Sequence, residues 1–320
     1  MGAVSRRTVL TALAAAGAAG ALPGCAAPFA QARLRLATGS ARGVYYRLGS
    51  ALARSWQAEL DLVRTPVVLN TAGSLENVAL LADGAADVVF SQVDAAAEQL
   101  VGTTADDPAA PRALARIYDD VLHVVVPATS AITTVSGLRG ARVSVGAADS
   151  GVSVVARRLL DAAQLGTSDV QGVQLGLDDS VDAMAAGTID AFFWSGGLPT
   201  PAVEQLAGVL PIRLLDLTDD GVLDAVRDRY PVYAPGTVPA RGYVGISTPV
   251  TTMLVRNLLL VAASMPDDLA RSLVEVLFTE QEQLAQAGPA ALTIDPRAAI
   301  GTDPVLLHPG AEQFYRAERG

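Results

Sequence analysis

Ala37-Thr38-Gly39-Ser40-Ala41-Arg42-Gly43-Val44-Tyr45-Tyr46-Arg47-Leu48-Gly49 is the stretch on which the reading of this chain turns. Leu34, Leu36 and Ala37 read as a short buried strand, and Leu48, Leu52 and Trp56 recur at the spacing of one helix face. The glycines therefore fall at a strand-to-helix turn. Gly39 and Gly43 can take backbone angles closed to other residues and let a ligand approach the main chain. The following helix aims its free N–H groups and positive dipole end at the turn, which makes an anion pocket out of backbone. The spacing is not Gly-x-Gly-x-x-Gly, and no P-loop lysine follows. Taken alone, the segment reads as an ordinary glycine-rich loop.

Two neighbouring segments repeat the arrangement. Pro66 to Leu69 is strand-like and leads into Asn70-Thr71-Ala72-Gly73-Ser74-Leu75-Glu76-Asn77, after which Val78, Ala79, Leu81 and Ala82 continue a helical stripe. Ser74 suits a helix N-cap, with Asn77 three residues on; both side chains either serve that turn internally or face a ligand. Val88 to Phe90 then form a buried strand with Gln92 and Asp94 at its carboxyl end. Open α/β sheets bind ligands outside the carboxyl ends of their strands, so three such ends in succession carry more weight than any one. Asp94 can accept from a ligand ammonium, or cap a helix starting near Ala95.

With these motifs in place the chain resembles the TAXI family, the solute receptors of one class of TRAP transporters. The resemblance rests on Thr38-Gly39-Ser40 with Gly43-Val44-Tyr45-Tyr46, on Gly73-Ser74-Leu75-Glu76-Asn77 and on Gln92-Val93-Asp94. It continues through Asp149-Ser150-Gly151-Val152-Ser153, where Val152 and Ser153 replace a threonine and a glutamate of the family pattern. Asp190-Ala191-Phe192-Phe193-Trp194-Ser195-Gly196-Gly197-Leu198-Pro199 and the closing His308-Pro309-Gly310-Ala311 extend it. It implies an α/β, two-lobed periplasmic-binding-protein fold of type II, with mainly parallel sheets and crossing hinge strands. Lobe 1 would comprise 33–120 plus 257–320, and lobe 2 would comprise 121–256. Val121 to Val126, ended by Pro127, is expected to cross between them.

The implied ligand site collects Gly39, Ser40, Arg42, Gly43, Val44 and Tyr45 with Ser74, Asn77, Gln92 and Asp94 from lobe 1. Lobe 2 would add Ser150, Gly151, Ser153, Trp194 and Gly197. Arg42 stands where the family has small residues; it either offers a guanidinium fork to a ligand carboxylate or points to solvent. Trp194 either walls the pocket or packs in the core. His123 and His308 read as structural.

The N-terminal end reads as an export signal. Ser5-Arg6-Arg7-Thr8-Val9-Leu10 resembles a twin-arginine motif, and an uncharged apolar run follows. Leu22-Pro23-Gly24-Cys25 looks like a lipoprotein box, with Pro23 an unusual residue in it. Residues 1–24 are thus a signal peptide, Cys25 a lipidation site, the sequence's single cysteine, and 25–32 a tether. Without Arg6 and Arg7 the net charge of −10 becomes −10 − 2 = −12. So acidic an exported protein is a poor candidate for nucleic acid. One cysteine and two histidines allow no disulfide and no Cys/His metal cluster. Lysine is absent, which excludes Schiff-base lysine chemistry.

The expected function is capture of a small carboxylate or amino acid, of the glutamate or glutamine kind, by hinge closure and delivery to TRAP membrane subunits. No cofactor, metal or catalytic residue is expected. A substrate-binding lipoprotein of an ABC importer would share fold and signal. An enzyme is disfavoured because Gly-x-Ser-x-Gly and His-Glu-x-x-His are both missing.

Overall fold

The computed structural model describes residues 27–102, 104, 107–166 and 168–318. The expected signal peptide, residues 1–24, and the expected lipidation site at Cys25 lie outside them.

Short apolar strands build one sheet, and their order follows from which residues are buried on both faces. In spatial order they are β2 (Val67–Leu69), β1 (Arg35–Ala37), β3 (Val88–Gln92), β10 (Val250–Ala262), β4 (Pro111–Pro127), β7 (Ala191–Gly196), β5 (Arg142–Ser144) and β6 (Gln171–Val173). β8 (Ile212–Leu214) pairs with β4, and β9 (Ala234–Val238) with β10. At one end β2, β1 and β3 run parallel; at the other β6, β5 and β7 do. β4 and β10 run antiparallel between them. Parallel strands need crossover connections, and helices supply these. The helices are α1 (Val44–Glu59), α2 (Ser74–Ala82), α3 (Val93–Gln99), α4 (Gly151–Ala162), α5 (Leu177–Ala185), α6 (Pro201–Val209) and α7 (Val222–Arg229). Then come α8 (Asp267–Thr279), α9 (Gln281–Ala285) and α10 (Pro309–Ala317). This is the α/β architecture expected from the alternation of strands and helical stripes, in the two-lobed form that the resemblance implied.

The cores lie on either side of the long antiparallel pair. Leu36, Leu52, Trp56, Phe90, Leu114, Leu259, Leu273 and Phe314 pack together in one lobe. Leu122, Val143, Leu159, Phe193, Leu223 and Val255 pack in the other, and Val125, Phe192, Leu206 and Tyr243 fill its second face. β4 is longer than the sequence suggested. Its first half contains Arg112, Arg116, Asp119 and Asp120, which hide the apolar alternation of Ala113, Ala115 and Ile117.

Where the chain passes between lobes the β4–β10 register slips. Arg256 faces Asp119 and Leu258 faces Arg116, so two steps on β10 span three on β4. This bulge places Tyr118 and Asn257 at the crossing, and bulges commonly re-aim side chains beside a site. The expected roles of both histidines agree with the structure. His123 is fully buried against the Tyr243 hydroxyl at 2.9 Å, and burial pulls its pKa down to about 4. His308 caps α10, its Nδ1 accepting from the Gly310 N–H at 3.1 Å.

Candidate functional site

Between the lobes lies a cavity of about 100 Å³. The N-terminal turns of four helices reach it: Val44 of α1, Ser74 of α2, Gly151 of α4 and Leu177 of α5. A helix N-terminus carries N–H groups without intrahelical partners and the positive end of the helix dipole, so the wall favours an anion. Val44, Tyr45, Val152, Leu177, Phe193 and Trp194 supply apolar surface. Trp194 lines the cavity and packs, partly buried, against the cores of the second lobe, and its Nε1 donates to Thr200 Oγ1 at 2.9 Å.

Of the residues expected at the site, Gly39, Ser40, Gly43, Val44, Tyr45, Ser74, Gln92, Ser150, Gly151 and Trp194 line the cavity. Five do not. Arg42 turns to the rim, where its Nε donates to Asp178 Oδ1 at 2.7 Å, with Asp182 3.8 Å away. Asn77 is buried behind the turn, donating to the carbonyls of Thr38 at 2.6 Å and Phe90 at 2.8 Å. Asp94 is buried below the cleft and accepts from the Ala95 N–H at 2.9 Å and the Tyr233 hydroxyl at 2.6 Å. Ser153 Oγ donates to the Ser150 carbonyl at 2.7 Å. Gly197 borders a smaller neighbouring groove. In each case a local protein partner satisfies the side chain, or the chain direction carries it away.

The glycines act differently from the sequence expectation. Gly43 has ordinary extended angles, φ −85° and ψ 166°, and Gly39 is not left-handed either. A Cβ on Gly43 would lie 3.1 Å from the Ser40 carbonyl, so the constraint there is space. Gly73 and Gly146 are the cavity glycines that need glycine for their angles, with φ +130° and +86°. Gly151 has no room for a side chain: a Cβ would lie 2.0 Å from Gln92 Oε1. Ser74 is not the cap; Gly73 is, and Ser74 Oγ accepts from the Gln92 N–H at 3.0 Å.

The residue the sequence reading missed is Asp120. It is 3% exposed and lines the cavity beside Tyr118 and Ser195. Gln92 Nε2 donates to its Oδ2 at 2.8 Å and to Ser195 Oγ at 2.6 Å, joining β3 to β7 across the lobes. Asn257 stands near the carboxylate without hydrogen-bond geometry. Asp120 Oδ1, Gln92 Oε1, Tyr118 Oη and Ser40 Oγ are buried with no protein partner. None of the residues lining the cavity is basic. Burial therefore pushes the Asp120 pKa up to about 7, against the hydrogen bonds from Gln92 and its neighbours. An available signal was an acid, Asp120, directly abutting the apolar run Val121-Leu122 of a crossing strand.

Two clasps hold the lobes together beside the cavity. Arg42 with Asp178 forms one. In the other, Arg158 of α4 reaches Glu98 of α3 at 2.8 Å, Asp94 at 3.6 Å and the Tyr233 hydroxyl at 2.8 Å, lying over the Tyr230 ring. A main-chain bond from the Glu76 N–H to the Asp149 carbonyl, 2.9 Å, adds a third tie. Arg42 and Asp178 are each about one-third exposed. Replacing Arg42 with alanine is therefore expected to change affinity for any ligand by less than about 1 kcal/mol, an effect that added salt shrinks further. Titration calorimetry at low and high salt checks this; a loss confined to acidic ligands would put Arg42 back in the site.

The fold is that of the type II periplasmic-binding-protein class. Residues 36–320 match the NMT1-like family, and the chain belongs to that family. Among solved structures it is similar to the ligand-binding component of an ABC-type import system from Staphylococcus aureus, with zinc bound. Identity there is 8%, over 90% of this chain and 100% of that one, with a TM-score of 0.53. It is also similar to a protein from Bordetella bronchiseptica RB50, with 18% identity, coverage of 90% and 89%, and a TM-score of 0.50. At such identities the likeness establishes the fold.

Proposed function

We propose that this chain is an extracytoplasmic solute receptor that captures a small amino acid or carboxylate, of the glutamate or glutamine kind, by closing its lobes. The observation that carries the reading is the cavity itself. Both lobes line it, four helix N-termini reach it, and buried polar atoms around it have no protein partner. Unpaired buried polar groups cost free energy unless something satisfies them, and a polar solute would do so. In this reading capture is non-covalent and involves no catalytic step. The receptor would then dock on TRAP membrane subunits, as the resemblance to TAXI receptors suggests. Delivery to an ABC importer is the second reading, favoured by the similarity to the Staphylococcus aureus component. A neighbouring gene for an ATPase or for a TRAP permease would decide between them.

The test is thermal melting of residues 27–320 with amino acids and small carboxylates. A ligand at 100 times its dissociation constant should add about 2.7 kcal/mol of stability. Small-angle scattering should show a smaller radius of gyration with that ligand; an unchanged radius would refute closure. We also propose lipid anchoring through Cys25 after removal of 1–24. Cys25→Ser should then release the full chain from membranes into the salt-washed supernatant, and retention on the membranes would rule the anchor out.

A further inference from the structure

The charges around the cavity are lopsided, and this bears on which solutes fit. Asp120 is the single carboxylate among the described residues lining it, and no arginine lines it. The nearest candidate cation by sequence, Arg42, is engaged at the rim by Asp178. Arg116, four residues before Asp120, is held by both oxygens of Asp119 at 2.6 and 2.9 Å. Asp120 itself has one oxygen taken up by Gln92 and the other, Oδ1, without a partner. Gln92 Oε1, also an acceptor, is 2% exposed by residue and equally unpartnered. Gln92 and Asp120 both line the cavity, and two buried acceptors without partners match a donor with several N–H bonds; an ammonium has three. The four helix N-termini that reach the same cavity offer donors suited to one carboxylate.

We propose that the cleft selects solutes of zero net charge, with an ammonium against Asp120 and a single carboxylate against the helix N-termini, and rejects an acidic side chain. This rests on the receptor reading above and names the member of its ligand class. A second carboxylate would enter a cavity that has no cation left to meet it and already holds Asp120. A carboxylate without an amine would leave Asp120 unpartnered and add a like charge nearby.

The experiment is titration calorimetry at pH 8 on residues 27–320 with four probes: alanine, propionate, glutamine and glutamate. Alanine and propionate differ by the ammonium, glutamine and glutamate by one charge at equal size. We expect alanine to bind at least ten-fold more tightly than propionate, and glutamine at least ten-fold more tightly than glutamate. Asp120→Asn should lower alanine affinity at least ten-fold and leave propionate unchanged or improved. The wild-type comparison stands by itself if that variant fails to fold. Glutamate or propionate binding as tightly as its partner would overturn the selection by charge and leave the receptor reading intact. Absence of binding by all four probes would overturn both.

Discussion

Replacing Asp120 with asparagine is expected to stabilise the ligand-free protein by about 2–4 kcal/mol at pH 8, while it abolishes tight binding of an amino acid. The gain follows from burial. An ordinary aspartate has a pKa near 3.8, and that of Asp120 is pushed up to about 7 because its carboxylate is buried without a cation. The folded state therefore binds the proton more tightly than the unfolded chain. Between about pH 4 and pH 7 the wild type loses stability as pH rises, and above that window the full penalty applies. Asparagine keeps the shape and can still accept from Gln92 Nε2, but it carries no charge to desolvate. Denaturant titrations of both proteins from pH 3.5 to pH 8 check this. The two curves should meet at the acid end and separate through the window. Parallel curves would show that Asp120 is hydrated in the ligand-free protein. A site residue that lowers stability until its ligand arrives is the usual trade between function and stability.

Arg158→Ala is expected to weaken every ligand by about two orders of magnitude, about 3 kcal/mol. Arg158 is 11% exposed at its side chain and Asp94 is fully buried. Burial raises the Asp94 pKa, opposed by the Tyr233 hydroxyl and by the positive charge of Arg158. Without Arg158 the closed form would hold a buried carboxylate with no cation, which is far costlier than an exposed pair. Opening the cleft rehydrates Asp94, so the penalty falls on closure and reduces apparent affinity in the same proportion for all solutes. Asp94→Asn should follow the same pattern more mildly, with equal losses for an amino acid and its keto analogue. That is opposite to what a direct contact between Asp94 and a ligand ammonium would give. Calorimetry with both ligands, paired with scattering of the free variants, separates the two. Arg158→Ala binding as the wild type does would remove the clasp from the closing mechanism.

What the sequence revealed of the fold came from periodicity and turns. The strands ending at Ala37, Leu69 and Gln92 stand out because apolar runs stop at glycine or polar residues. Helices α1 and α4 were readable from their apolar stripes, and the crossing strand from Val121 to Pro127 from an apolar run interrupted by His123. The first half of β4 was not, because its charged residues find partners only in the folded chain: Arg116 meets Asp119, and Asp120 meets Gln92 from a distant strand. The same limit applies at the site. Backbone-rich turns were legible, since glycine and serine mark them locally. Whether Arg42, Asn77 or Asp94 reaches the ligand depended on Asp178, the Phe90 carbonyl and Tyr233, each remote in sequence. Local pattern finds the wall of such a cleft; long-range pairing decides which side chains are left free to face it.

The placement of the two cores has a consequence for the order in which the chain can assemble. The second lobe draws its packing from one continuous stretch, Val121 to Val255. The first joins Leu34 and Leu36 to Phe314 and Tyr315, so its interior cannot be completed until nearly the whole polypeptide has left the ribosome. The middle of the message thus encodes the part that can fold earliest, and the earliest-made residues, including those of the first glycine turn, wait longest for their partners.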